Sequence, residues 1–77
     1  MTLSDLARGA VARISAIESS SEGLAAKLRE LGLAEGDEIE LWARGPFGGE
    51  PLAIRLNRTI IALRNEEAAA IKLTAAK

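Results

Sequence analysis

Seventy-seven residues make one domain, and at about this size roughly 60% of the unfolded chain's surface is removed from water on folding. The 48% hydrophobic content is drawn mostly from Ala, Leu and Ile, with Trp42 and Phe47 the only aromatics, a composition that suits a globular core and argues against disorder. Ten basic and eleven acidic residues are interspersed for a net charge of −1, which excludes the basic stripe of a nucleic-acid binder.

Cysteine is absent, so disulfides and thiolate metal sites are excluded and a reducing compartment is favoured. No stretch approaches the roughly 18 apolar residues of a membrane span. Asp5 stands where a signal peptide is basic, and no long apolar run follows. The expectation is a cytoplasmic protein with no membrane insertion of its own.

Along the chain, Thr2 to Leu6 reads as a short helical turn capped by Thr2, ended by Gly9. Val11 to Glu18 carries the β-branched residues Val11, Ile14 and Ile17. Their spacing of three is not clean alternation and by pattern alone also suits a helix, but Gly9 before and the serine run after favour a strand, with a bulge as one way to accommodate the spacing. Ser19 and Glu22 have the spacing of a capping box, and Leu24, Leu28 and Leu31 follow on one helical stripe. Gly32 suits the left-handed residue that ends a helix, with Leu33 as its apolar cap.

After a turn at Gly36-Asp37, Ile39, Leu41 and Ala43 alternate with Glu38, Glu40, Trp42 and Arg44, the pattern of a half-buried strand. Gly45 to Pro51 reads as a loop. Leu52, Ile54 and Leu56 form the next strand, Asn57-Arg58 a tight hairpin turn, and Thr59 to Arg64 the returning strand. Asn65 is expected to cap one helical turn, and Ile71 to Thr74 to close the fold, with the tail over 74–77 frayed. The fold class that results is mostly β with one inserted α-helix: a small, partly open β-barrel of about five strands in a single domain, 1–77.

Histidine and tyrosine are missing along with cysteine, which removes the usual general bases, metal ligands and nucleophile–base pairs; no catalytic residue and no cofactor is assigned. Glu35, Asp37, Glu38 and Glu40 crowd one strand edge without the ligand spacing of a calcium loop, and read as a solvated acidic edge. Gly45-x-x-Gly48-Gly49 lacks the lysine and hydroxyl of a phosphate loop and precedes a strand, so a hairpin loop is the better reading.

Trp42 shares the polar face of its strand with Arg44. It is either a contact anchor or a side chain covered by the helix or the Pro46 loop. Phe47, at the tip of the Gly/Pro loop, carries the same two readings. The leucine stripe is either core or a partner groove. The partner-binding set expected from the sequence is Trp42, Arg44, Phe47 and Leu28.

Three segments occur together: Leu31-Gly32-Leu33-x-x-Gly36-Asp37, then Gly45-Pro46-Phe47-Gly48-Gly49-Glu50-Pro51, then Ile61-Ala62-Leu63-Arg64-x-x-Glu67-Ala68-x-x-Ile71. With the leading Leu3-x-x-Leu6-x-x-Gly9, their order and spacing resemble the FeoA family, ferrous iron transport protein A, over nearly the whole chain. The resemblance implies an SH3-like barrel with an inserted helix. It implies a cytoplasmic accessory role in bacterial ferrous iron uptake, exercised by binding the FeoB-type membrane transporter. The alternative it offers is a stand-alone metal- or ligand-responsive domain, like those at the C-terminus of metal-dependent repressors, with room for a homo-oligomer. Family members are associated with transition metals, but this sequence brings neither His nor Cys to such a site.

Overall fold

The computed structural model describes residues 1–19 and 21–75. Its elements are a 3-10 turn Leu3–Asp5, β1 Val11–Ile17, α1 Glu22–Glu30, β2 Glu38–Gly45, β3 Gly49–Leu56, β4 Thr59–Leu63, α2 Asn65–Ala69 and β5 Ile71–Ala75. The strands form one antiparallel sheet in the order β4-β3-β2-β1-β5. The end strands β4 and β5 do not pair, so the barrel stays open, and α1 is inserted between β1 and β2 as expected.

The irregular spacing in β1 is resolved by the expected bulge. Ile14 pairs with Leu73 but Ala16 with Lys72, so Ser15 is an extra residue and the strand changes phase there. Ala12, Ile14 and Ile17 therefore all face the core, while Val11 is turned outward. At the other end, Thr74 and Ala75 pair with Arg13 and Ala12, so this part of the tail is strand and not frayed. Residues 76 and 77 lie outside the described ones.

α1 starts one serine motif later than the capping box suggests. The Ser21 hydroxyl accepts the Leu24 N–H, and Ser19 Oγ accepts the Ser21 N–H instead of capping the helix. Its C-terminus is a Schellman closure: Gly32, at φ 101°, donates to the Arg29 carbonyl and Leu33 to that of Leu28. This closure turns Leu33 inward and leaves Leu31 outward, 41% exposed, with Leu24 half-buried. Leu28 is fully buried in the core. Its assignment to the partner-binding set is corrected: a side chain with no accessible surface cannot touch a partner.

β2 and β3 form a longer hairpin than the loop reading of Gly45–Pro51 allows, since β3 already begins at Gly49, paired with Gly45. A Cβ on Gly45 would overlap the Glu50 carbonyl, which is why glycine stands there. The β3–β4 turn is as expected, with Asn57 at φ 56° between the paired residues Leu56 and Thr59. α2 is capped one residue early: Arg64 is the N-cap, and the Glu67 carboxylate reaches back to accept its N–H at 2.8 Å. The Asn65 N–H goes to Glu50 Oε2 at 2.6 Å.

The fully buried large side chains are all leucine or isoleucine, including Leu3, Ile14, Leu28, Leu41, Ile54 and Ile71. Glu67 is the one buried charged side chain among the described residues. Burial opposes its ionisation, but the Arg64 amide and the Lys27 ammonium, 2.6 Å away, outweigh it and hold the carboxyl below its ordinary value of 4.5. Glu67 thereby ties α1 to the start of α2.

Two measurements check this account. Leu28→Ala is expected to lower stability by about 2–5 kcal/mol in chemical denaturation, and Leu31→Ala to change it by less than about 0.5 kcal/mol. Because the folded pKa of Glu67 is depressed, the folded state binds fewer protons than the unfolded chain. Its contribution is complete above pH 4.5 and is lost as pH falls through the lowered folded value. Glu67→Gln is expected to cost about 1–3 kcal/mol near neutrality and to flatten the acid limb of a Tm-versus-pH curve.

Candidate functional site

The core contains no aromatic ring. Trp42 is 56% exposed and Phe47 78% exposed, although aromatic side chains are normally the largest single contributors to apolar burial. Both belong to the β2–β3 hairpin, Trp42 within β2 and Phe47 at the tip, where its N–H donates to the Glu50 carbonyl. The reading in which the helix or the Pro46 loop covers Trp42 does not hold.

Trp42 is exposed because it is the extra residue of a bulge. Leu41 pairs with Ile54, but Ala43 pairs with Ala53, so β2 gains one residue on β3 at this point. The phase of β2 inverts beyond it. Arg44, expected on the face of Trp42, instead pairs with the buried Leu52. Its Nη2 donates to the carbonyls of Ser4 and Leu6, both at 2.9 Å. The guanidinium thus holds the N-terminal segment, while Arg44 as a residue remains exposed.

The outer face of the sheet contributes apolar surface that the sequence reading missed. Val11, Glu40, Arg55 and Ile60 are successive cross-strand neighbours on β1, β2, β3 and β4. Val11 is 44% exposed and Ile60 43%. A shallow depression of about 240 Å³ lies over the Val11, Glu40 and Arg55 part of this row, lined also by Glu38, Ile39 and Asn57. The bulge in β1 was the only signal for Val11, since an unbroken strand would have put it on one stripe with Ile17.

The acidic edge does not gather into a metal centre. Arg29 donates to both oxygens of Glu35 at 3.0 and 3.3 Å and holds that carboxyl below its ordinary range. Glu38 faces Arg13 at 3.7 Å, and Asp37 accepts the Ala34 N–H that closes the turn before β2. Among the described residues no three His, Cys, Asp or Glu side chains are grouped to hold an ion. No described helix is long and apolar enough to cross a membrane. The donor set does not fit the transition-metal site associated with the family.

This architecture is shared with known proteins. The fold of the zinc-complexed FeoA of Stenotrophomonas maltophilia, described as a prokaryotic SH3-domain protein, superposes with a TM-score of 0.84 at 38% identity, covering 99% of this chain and 92% of that one. Iron(II) transport protein A of Clostridium thermocellum gives 0.87 at 37% identity, over 99% of this chain and 46% of that one. A manganese-dependent transcriptional repressor shares the fold alone, with a TM-score of 0.87 at 15% identity over 97% of this chain and 41% of that one. No curated protein matches the sequence. The FeoA domain matches residues 1–75: the chain belongs to the FeoA family of ferrous iron transport proteins.

Proposed function

We propose that this chain is a cytoplasmic accessory protein of ferrous iron uptake that acts by docking onto the inner side of a FeoB-type membrane transporter. The observation that carries the reading is the exposure of both aromatic rings on one hairpin above an aliphatic core. Rigid aromatics offer large contact area for little loss of conformational freedom, and they anchor interfaces for that reason. The reading assigns no reaction to the chain, in keeping with a sequence that lacks His, Cys and Tyr. Iron enters this reading as the cargo of the transporter. Docking changes transport only to the extent that the domain prefers one state of the transporter, because equal affinity for all states shifts nothing.

Titration of the chain against the transporter's cytoplasmic domain tests the reading, with the full-length transporter in detergent as a second arm. Trp42→Ala and Phe47→Ala are each expected to weaken binding at least tenfold, about 1.4 kcal/mol, with the Tm little changed because neither side chain is in the core. Absence of binding in both arms would remove the proposal.

A further inference from the structure

The two ends of the open sheet are treated differently. Beside β5, the Thr2 segment forms a bridge to Lys72, and the Leu73 N–H donates to the Met1 carbonyl at 2.8 Å, so this edge is partly covered. β4 has no such neighbour. Among the described residues its backbone pairs only with β3, and every second residue turns its N–H and C=O away from that strand.

Edge strands are normally blunted by shortness, a charge, a proline, a bulge or a covering helix or loop. β4 is short, at five residues, but has no charge, proline or bulge within it. Its sequence is Thr59-Ile60-Ile61-Ala62-Leu63, and its register with β3 runs unbroken from Leu56–Thr59 to Leu52–Leu63. Ile60 and Ala62 are exposed on the outer face, while Ile61 and Leu63 face the core. A strand laid alongside would extend both layers.

The charges around β4 select the occupant. Arg58 precedes the strand and Arg64 follows it; neither forms an ion pair among the described residues, and the cation Arg55 is paired across from Ile60. Antiparallel pairing with a second copy, centred on Ile61, would place Arg58 opposite the copy's Arg64. Like charges set opposite one another destabilise a sheet. An extended apolar segment with a carboxylate at each end meets both arginines favourably and completes the row of backbone hydrogen bonds.

We propose that the β4 edge is a strand-addition site for an extended, alternately apolar segment of a protein partner that is flanked by acidic residues. This deepens the docking function proposed above and rests on it. The hairpin aromatics would supply anchors, and β4 a main-chain register.

The probe is an acetylated, amidated heptapeptide of alternating Val and Thr with a Glu at each end, titrated into the whole chain and followed by amide NMR and hydrogen exchange. Shifts centred on Thr59–Leu63, slowed exchange there, and at least tenfold weaker binding of the Lys-flanked counterpart are expected. The double variant Arg58→Glu, Arg64→Glu is expected to reverse that ranking. A Glu-flanked peptide N-methylated at alternate residues tests the unmodified protein should the double variant not fold, and is expected to lose binding. Unperturbed β4 amides, equal affinity for the two flanking charges, undiminished binding of the methylated peptide, or β4-mediated dimers of the free chain would each overturn the proposal. The peptide assay reads the edge alone, so it can fail while the transporter's cytoplasmic domain still binds, and the reverse.

Discussion

The constraint on which this fold depends is the scarcity of bulk in its apolar residues. With aromatics absent from the interior, the core is closed by leucine and isoleucine from the 3-10 turn, α1 and all five strands, with alanine alone from α2. Each of these residues buries a modest area, and a small domain keeps only a thin margin over the entropy of ordering its chain. Close packing of branched side chains therefore carries stability, and positions such as Leu28, Leu41 and Ile54 have no freedom to serve another purpose.

That constraint explains the division of labour on the surface. Trp42 and Phe47 are the two side chains with the most apolar area to hide, and both are left in water. The bulge at Trp42 is what separates its ring from the core: the added residue rotates the ring outward and shifts Arg44, itself exposed, to the side where its guanidinium reaches two carbonyls of the N-terminal segment. A single irregularity in the ladder thus creates an exposed anchor and fastens the segment that carries Leu3 and Leu6 into the core. Bulges of this kind re-aim side chains without altering the strand's partners.

The polar interactions follow the same economy. Glu67 is buried because it serves three purposes at once: it caps α2 through the Arg64 amide, pairs with Lys27, and so links the two helices. The carboxylates Glu35, Asp37 and Glu38 at the start of β2 are held by Arg29, a turn amide and Arg13. Most of the large exposed apolar side chains of the resulting domain lie on one hairpin and on the outer face of the sheet.

Composition and local pattern determined a good deal by themselves. Alternation in Ile39–Leu41 and Leu52–Leu56, the Asn57 turn and the Gly32 closure are short-range features, and each is settled by backbone sterics within a few residues. The joint order of the glycine and proline motifs was enough to indicate the family. Tertiary structure decided what depends on register. The face on which Arg44 lies follows from an extra residue counted against β3, the choice of Leu28 over Leu31 from where a helix meets the sheet, and the open β4 edge from which strands find partners. None of these has a local signature, because pairing between distant segments inverts or exposes a side chain without changing its own neighbours in the chain.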